Sequence, residues 1–485
     1  MPTEITCQQP LDNSRLFAIG ILSADSSVGR VVSTLQEELQ QEHGLRGRRA
    51  KIECHLRLIV LNLLVNSLYA NHPFTAYHRR KAAYVRSPRY NRLRVTYGLV
   101  KVIDALEAGG YVENHLGFRN RDDGSGRISR MRATERLLQL ILRESNGEQP
   151  TIASHPDSEC IVLRSDEDDS GGSTILGQDI DYPETDETRR MRQVVERYNA
   201  YLSCFDLGLR VVEGTNGIAE PNVPQVNFGD RQVRRIFNGS FRCGGRFYGG
   251  WWQGISEEWR SRILIDGHPV TELDYSGIHI RLLYAMAGHR QTASRMRDPY
   301  QIDGVEQSPR MRNLVKKIYL IALNSAGRQN ALAAIRALSA DEPEEFGWMG
   351  TDEVDIERIL NSFVTTHAPI SDWLFSGIGL ELQYYDSQIA ERIILDLMRQ
   401  NIPVLTVHDS FIVQDRHVVV LYQSMQYAFS EFLNSIGRTD RLEPTRIKAT
   451  GCMADEINRQ VEASFLATGS FPDRLPPAFY KRHAA

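Results

Sequence analysis

The stretch VTELDYSGIHIRLLYAMAG, Val270 to Gly288, decides the fold because its pattern predicts an apolar strand that is followed directly by a helix. The predicted strand ends at Asp274, a carboxylate in an otherwise apolar setting. A buried charge is costly unless it is paired or holds a metal ion. The rest of the chain is therefore expected to supply a partner for Asp274.

The best candidate partner lies in NIPVLTVHDSFIV, Asn401 to Val413. Apolar, β-branched arms flank His408, Asp409 and Ser410, which predicts a tight turn between two strands. Two carboxylates from adjacent strands are suited to divalent cations, and Mg²⁺ prefers carboxylate oxygens together with substrate phosphates. The sequence thus predicts that Asp274 and Asp409 hold two Mg²⁺ ions, for which Mn²⁺ is a substitute.

Each carboxylate taken singly also has an ordinary interpretation, as a helix cap or a turn residue. A Ser–His–Asp hydrolase fails on geometry, since neighbours in one turn cannot form a triad that is assembled from distant segments. The metal interpretation therefore depends on a third segment that lies between the two carboxylates.

That segment is RMRNLVKKIYLIALNSAGR, Arg310 to Arg328, which predicts a helix. Arg312 and Lys316 are four residues apart and project from one face, and Asn324 lies near that face. Two cations opposite two metal-binding carboxylates can hold a triphosphate. Considered alone, the same spacing is also typical of a solvated basic face.

These three segments, in this order, resemble the polymerase motifs A, B and C of the family A DNA polymerases and the related single-subunit phage-type RNA polymerases. The resemblance is carried by DYSGIHIR, RNLVK and VHDS. LQYYDSQIAERIIL, Leu382 to Leu395, is similar to the glutamine-bearing helix that precedes motif C. The resemblance covers roughly residues 231 to 453. It implies an α+β right-hand polymerase with an antiparallel-sheet palm and helical fingers.

The implied reaction is nucleotidyl transfer, as template-directed DNA synthesis from dNTPs by a two-metal mechanism. Asp274 and Asp409 would hold the metal ions, while Arg312 and Lys316 would bind the triphosphate, with Lys316 protonating the pyrophosphate. The resemblance assigns Tyr275, His279 and Asn324 to the nucleotide, and Gln383 and His408 to the primer end or minor groove. Arg246 is expected to contact a phosphate because it lies in a basic, glycine-rich and aromatic stretch, Arg231 to Gln253.

Two departures from the family pattern leave the substrate open. His279 stands where the DNA polymerases carry Glu, and Asn324–Ser325 stands where motif B ends in Tyr-Gly. The alternatives are an RNA polymerase or primase, a template-independent terminal transferase, and a degenerate polymerase that acts as a nucleic-acid-binding scaffold. A proofreading exonuclease is not expected in the first 230 residues. Such a compact enzyme would suit a phage, plasmid or other mobile element.

The N-terminal part of the chain carries strongly segregated charge. Residues 79–136 hold 14 Lys/Arg against 6 Asp/Glu, although the whole chain has a net charge of −4. A helix, a strand, a Gly-rich turn and a second strand predict a mainly helical, winged-helix-like domain, with Arg130 and Arg132 as nucleic-acid contacts. The alternative is a solvated basic surface on an ordinary domain.

Composition sets the remaining expectations. Six scattered cysteines, no apolar run long enough for a membrane span and no secretory signal predict a cytoplasmic protein without membrane partners. The acidic stretch SDEDDSGGS, Ser165 to Ser173, predicts a linker. The predicted segments are a basic nucleic-acid-binding domain (1–156), an acidic linker (157–187), a helical connector or thumb (188–230), the palm and fingers (231–460) and a tail (461–485).

Overall fold

A computed structural model of the 485-residue chain describes residues 14–475, except for 69–72, 86, 120–125, 156–157, 166–176, 212–222, 225, 290–291, 293–294, 351–353 and 437–443. The fold is mixed α/β with antiparallel sheets. The chain forms two compact units. Unit 1 contains residues 1–199, 211–234 and 249–255, and unit 2 contains residues 200–210, 235–248 and 256–485.

The elements of the first 202 residues are, in chain order, β1 (Ser14–Leu16), β2 (Ile21–Leu22), α1 (Ser26–Gln41), α2 (Arg49–Ser67), β3 (Phe74–Tyr77), α3 (Gly98–Ala108), β4 (Val112–His115), β5 (Phe118–Arg119), β6 (Gly126–Arg127), β7 (Ser129–Ala133), α4 (Glu135–Glu144), β8 (Ala153–Ser154), β9 (Ile161–Arg164) and α5 (Asp186–Leu202).

The later elements are β10 (Leu207–Leu209), β11 (Val233–Asn238), β12 (Ser240–Gly249), α6 (Glu257–Arg260), β13 (Ile263–Ile265), β14 (His268–Tyr275), α7 (Ile278–Met286), α8 (Pro309–Asn324), α9 (Arg328–Asp341), α10 (Pro343–Phe346), α11 (Ile356–Thr366), α12 (Gly379–Arg399), β15 (Leu405–Val407), β16 (Ser410–Gln414), α13 (Val418–Ser435), β17 (Ile447–Gly451) and α14 (Ala454–Thr468).

Unit 1 has a four-stranded sheet in the order β1-β3-β7-β4 and a helical core. Leu35, Ile59, Ile103 and Leu137, one from each of α1 to α4, are fully buried in this core. The predicted succession of a helix and then a strand is observed, since α3 ends at Ala108 and β4 begins at Val112. Most of the predicted Gly-rich turn, residues 120–125, lies outside the described residues.

Unit 2 is built on an antiparallel sheet with β14 at its centre. The strand order is β10-β13-β14-β16-β15, and β17 pairs with β14 along its other edge. Helix α13 packs on β14 and β16, and α12 packs against α13, α7 and α8. Because β14 is covered by neighbours, its Val270 and Leu273 are buried, which explains the apolar sequence before Asp274.

The predicted strand-to-helix change is confirmed in detail. β14 ends at Tyr275 and α7 begins at Ile278, with Gly277 between them at φ 67°, a left-handed conformation that favours glycine. None of the described helices combines the length and the apolar composition that a bilayer span requires. The five predicted segment boundaries stay predictions, and residues 166–176 of the acidic linker and 476–485 of the tail lie outside the described residues.

Candidate active site

The sheet of unit 2 brings the two predicted carboxylates together. Antiparallel pairing of β14 with β16 sets Asp274 opposite Ser410, and Asp409 is the residue immediately before Ser410. Directly opposed residues in such a pair have Cβ atoms about 5 Å apart. The two carboxylates, 135 positions apart in sequence, therefore belong to one end of the same strand pair.

The electrostatics of Asp274 agree with this placement. Burial raises the pKa of Asp274 well above its ordinary value, and the neighbouring charges of Asp409 and Glu272 raise it further. Lys316 and Lys448 act in the opposite direction. Carboxylates that share a site resist simultaneous ionisation unless a cation joins them. The group therefore has an excess of negative charge that a divalent cation would neutralise.

Glu272 and Lys448 are neighbours of Asp274 that the sequence analysis missed. Glu272 lies two residues earlier on the same face of β14, and its carboxylate accepts hydrogen bonds from Arg260 Nε at 2.8 Å and from the Ser410 hydroxyl. Lys448 of β17 lies directly opposite Asp274. The apolar alternation of RIKATG, residues 446–451, was the available signal for a strand that carries this lysine.

Helix α8 contributes Arg312 and Lys316 from the same face. Lys316 is exposed, and its charge acts on Asp274. Arg312 instead donates from Nε to Asp298 Oδ2 at 2.6 Å and from Nη2 to Asp298 Oδ1 at 3.2 Å, and its guanidinium lies over the Tyr300 ring. Asp298 already occupies the donors that the sequence analysis assigned to a triphosphate.

A second ionic group, which we call the anchor cluster, consists of Arg246, His279 and Asp386. Asp386 is 2% exposed, and it accepts hydrogen bonds from Arg246 Nε at 2.9 Å and pairs with His279 Nε2 at 2.8 Å. Burial alone would lower the pKa of Arg246, but the charge and hydrogen bonds of Asp386 outweigh it, and Asp409 also raises this pKa.

Asp386 was missed because its partners are remote in sequence. Arg246 lies 140 positions away on β12, and His279 lies 107 positions away on α7. The available signal was helical spacing, because Asp386 shares the buried face of α12 with Leu382, Ile389 and Ile393. A carboxylate on such a face predicts a buried ionic partner.

His408 occupies the predicted turn between β15 and β16 in a left-handed conformation, with φ 60°. Its ring packs edge-to-face on Tyr248 at 5.2 Å between centroids. Burial lowers the pKa of His408, and the charge of Arg246 lowers it further. His408 thus connects the turn that holds Asp409 with the strand that holds Arg246.

Two predicted nucleotide contacts are not placed with the carboxylates. Tyr275 is 1% exposed, and its hydroxyl donates to the Met425 carbonyl of α13. Since adjacent strand residues point to opposite faces, its ring lies in the core on the face away from Asp274, and its predicted role at a sugar pocket stays a prediction. Asn324 binds the Leu320 carbonyl and contacts Gly379, about 12 Å along α8 from Lys316.

Gln383 lies on α12 three residues before Asp386, so the two share a helix face. The side chain of Gln383 is half-buried. Its predicted contact with the minor groove stays a prediction.

The carboxylate pair fits a hard divalent cation in ligand chemistry. Mg²⁺ is usually held by one or two carboxylates, with water and substrate phosphates completing its shell. Within the described ranges, the one group of three metal-ligating side chains is Glu38, Glu42 and His43 in unit 1, and Glu38 there already binds Tyr111 and Arg136. The pair Asp274 and Asp409 would thus need substrate or water to complete a metal site.

The two arginines predicted to contact nucleic acid lie on β7 of unit 1. Arg132 donates from Nε to Glu113 Oε2 at 2.9 Å and lies over the Phe74 ring. Arg130 is half-buried on the same strand. Because Glu113 neutralises Arg132, the structure gives this position little free positive charge, contrary to the expectation for a phosphate contact.

No protein-family model and no curated protein matches the chain. Among solved structures, the chain is similar to the POL domain of Pol1 from M. smegmatis in complex with DNA primer-template and dNTP. The identity is 10% and the TM-score is 0.25, over 89% of this chain and 66% of that chain. A similarity at this level does not establish a shared activity, so the function is argued from the site.

Proposed function

We propose that the chain is a nucleotidyltransferase of the family A polymerase type, which extends a DNA primer on a template from dNTPs. The convergence of Asp274 and Asp409 on one end of the β14–β16 pair carries this proposal. In the reaction, the primer 3′-hydroxyl attacks the α-phosphate of the nucleotide, and pyrophosphate leaves. The sheet of unit 2 would serve as the palm, and α8 with its neighbours as the fingers.

Asp274 and Asp409 would hold two Mg²⁺ ions, or Mn²⁺ in their place. Bound in such a site, the ions would stabilise the charge that develops on the attacking and leaving oxygens. The raised pKa of Asp274 supports this role, because the excess negative charge favours a cation at that point. Glu272 is held by Arg260 and Ser410, so it acts as a neighbouring charge rather than as a further ligand.

Lys316 would bind the triphosphate and donate a proton to the leaving pyrophosphate. Its exposure and its electrostatic effect on Asp274 support this role. Arg312 would bind the triphosphate only after its guanidinium leaves the carboxylate of Asp298. A phosphate would then replace that carboxylate as the bidentate acceptor.

The anchor cluster would fix the side of the pocket next to the metal site. Asp386 holds both His279 and Arg246, so it would set their positions relative to the sugar and the primer phosphate. His408 and Gln383 would contact the primer end or the minor groove. Asp386 is in this view a positioning residue, which acts through His279 and Arg246.

Unit 1 would bind nucleic acid as a winged-helix-like module. The order β3-β7-β4 and the succession α3, β4, β7 support this proposal, because a helix followed by an antiparallel strand pair is the arrangement of a winged helix. A DNA partner would be recognised through phosphate contacts.

Primer extension on a defined primer–template tests the reaction. Asp274→Ala and Asp409→Ala should each abolish incorporation in Mg²⁺, while Glu344→Ala, which removes an exposed carboxylate from α10, should leave it unchanged. Near-normal incorporation by either aspartate variant would refute the metal assignment.

The same assay separates the substrate classes. His279, in place of the acid of the DNA polymerases, motivates parallel reactions with all dNTPs and with all NTPs, each with and without a template. Preference for NTPs would indicate an RNA polymerase or primase, and extension without a template would indicate a terminal transferase. Tight DNA binding without any incorporation would favour a non-enzymatic scaffold.

A further inference from the structure

Several arginines of unit 1 form ion pairs with nearby carboxylates, which neutralise their charge. Arg79 pairs with Asp104 at 2.6 Å, Arg132 with Glu113 at 2.6 Å, and Arg136 with Glu38 at 2.8 Å. Arg89 contacts three acids, of which Glu159 is at 3.1 Å. A paired guanidinium has little charge left for a ligand, so these residues do not form a polyanion-binding surface.

A different group of cations has no such carboxylate partners among the described residues, and we call it the basic face. It comprises Arg46, Arg48, Arg49, Lys51, Arg80, Lys81, Arg92 and Arg94. All of these except the half-exposed Lys51 are exposed. Among the residues that the structure describes, none of the eight forms an ion pair within 4.0 Å. Eight uncompensated charges in one region repel one another and attract a polyanion.

Specific contacts join the segments that carry the basic face. The Lys51 ammonium donates to the Arg94 carbonyl, and the Thr96 amide donates to His55 Nε2 at 3.3 Å. Lys81 lies over the Tyr97 ring at 5.7 Å. These contacts join the first turns of α2 to the 91–97 segment and to the short 3₁₀ helix at 81–84, which together carry seven of the eight charges or lie next to them.

The 91–97 segment is closed by hydrogen bonds of its own. Asn91 Oδ1 accepts from the Val95 amide at 2.7 Å, and Asn91 Nδ2 donates to the Val95 carbonyl at 2.9 Å. This side chain closes the turn that presents Arg92 and Arg94. Preorganised cations lose less conformational entropy on binding than cations on a free loop.

The charges on helix α3, which follows the 91–97 segment, do not favour recognition of bases. The exposed side chains of α3 include Asp104 and Glu107 beside Lys101, so its outer face is not positively charged. Half-buried Tyr84 and Tyr97 pack edge-to-face on one another at 6.0 Å, which leaves their rings poorly placed to stack on unpaired bases.

We propose that the basic face binds the phosphate backbone of duplex DNA without reading its sequence. This inference rests on the proposed function, because a polymerase that extends arbitrary templates needs affinity that does not depend on sequence. It replaces Arg130 and Arg132 with the unneutralised cations of the basic face as the contacts of unit 1. Release of condensed counterions would supply the affinity and make it strongly salt-dependent.

The test is fluorescence anisotropy of the full chain with a labelled blunt duplex of about 20 base pairs at 50–200 mM KCl, a length and salt range chosen for resolvable salt slopes. Nucleotides are omitted and EDTA is present, so the result does not depend on catalysis. The test variant replaces Arg48, Arg49, Arg92 and Arg94 by alanine. The matched control replaces the paired Arg132 and Arg136 by alanine.

For the quadruple alanine variant, the slope of log K against log salt concentration should become less negative by about 0.9 for each phosphate contact removed. Its affinity at 100 mM KCl should be at least roughly 30-fold weaker. The control should keep the wild-type slope. A quadruple Arg→Lys variant, which keeps the charge, should also keep the slope, and this serves as the comparison if the alanine variant fails to fold.

An unchanged slope in the quadruple alanine variant, or an equal loss in the control, would overturn the proposal. So would a loss of slope in the quadruple lysine variant, since backbone binding by counterion release depends on charge. Equal dependence on the four arginines for a single-stranded oligonucleotide would overturn the assignment to duplex. If the duplex result holds but wild-type chain incorporates no nucleotide, the proposed function fails and the basic face stands.

Discussion

The basic face of unit 1 and the anchor cluster of unit 2 are both rich in arginine or histidine, but only one of them has its own acid. Asp386 binds Arg246 and His279 at hydrogen-bond distance, whereas the arginines of the basic face have no carboxylate within 4.0 Å in the described part of the chain. The difference shows that counting cations does not locate ligand sites. What matters is whether the fold places an acid beside each one.

The same contrast separates two adjacent lysines of α8. Lys316 is exposed and forms no ion pair among the described residues, while Lys317 pairs with Glu342 at 2.6 Å. Lys316 also acts on the pKa of Asp274. If unpaired cations are the functional ones, only the first of these lysines should matter for the reaction.

Lys316→Ala should therefore lower kcat for nucleotide incorporation about 100- to 10,000-fold, which is the range for loss of a positioned proton donor. Single-turnover primer extension measures this effect. Lys317→Ala is the matched control and should change kcat by less than about 3-fold, because surface ion pairs contribute little. Comparable losses in both variants would remove the special role of Lys316.

Much of this site was predictable from the sequence. Asp274 and Asp409 each follow an apolar, β-branched run, and Arg312 and Lys316 share helical spacing, so local patterns were sufficient for them. Asp386, Glu272 and Lys448 were not found, because their roles come from strand register and from helix packing across more than 100 positions. Local patterns do not encode such pairings.

Tyr275 shows the opposite limit of local patterns, because the sequence motif assigned to the site a residue that the fold buries. A motif placed it beside Asp274, but period-two alternation along β14 turns its side chain to the face covered by α13, where it packs against Phe411 and Phe429. Arg132 shows the same limit in unit 1, since the basic composition of residues 79–136 did not reveal that Glu113 lies across the β4–β7 pair.

The stability of the basic face should depend on pH through His55. Burial, together with the nearby charge of Lys51, lowers the pKa of His55 to about 4. Its Nε2 accepts a hydrogen bond from Thr96, which requires the neutral ring. Because the folded pKa lies below the unfolded value of about 6.5, this stabilisation is complete above pH 6.5 and is lost as the pH falls towards 4.

His55→Gln should abolish this pH dependence, which amounts to about 3 kcal/mol of unfolding free energy between pH 7 and pH 4. Urea denaturation of both proteins across this range, followed by a probe of unit 1, measures the difference. The unfolding free energy of each protein at pH 7.5 serves as its reference value. Parallel pH profiles for wild type and variant would show that His55 does not control this segment.

A substitution at Asp386 tests the anchor cluster, in which an acid of the fold neutralises the cations. Asp386→Asn keeps the size of the side chain but removes the charge that holds Arg246 and His279. We expect a 10- to 100-fold loss in kcat/KM, about the effect of removing an outer-shell partner. Asp386→Glu should restore part of the activity, because it keeps the carboxylate.

The decisive readout for Asp386 is selectivity. If it positions His279 at the sugar, the ratio of kcat/KM for dNTP to that for NTP should change in Asp386→Asn and in His279→Ala in the same direction. Loss of activity with an unchanged ratio in both variants would reduce the cluster to a structural ion pair.

The smallest effect is expected where a paired cation is released. Asp298→Asn removes the carboxylate that holds Arg312, so Arg312 no longer needs to exchange partners when a triphosphate arrives. KM for the nucleotide should fall about 2- to 5-fold, in line with the modest energy of a partly exposed ion pair. Glu342→Gln, which releases Lys317 instead, should leave KM unchanged. A raised KM in Asp298→Asn would mean that the ion pair orients Arg312 for the nucleotide, and that a paired cation of this fold is already in its working position.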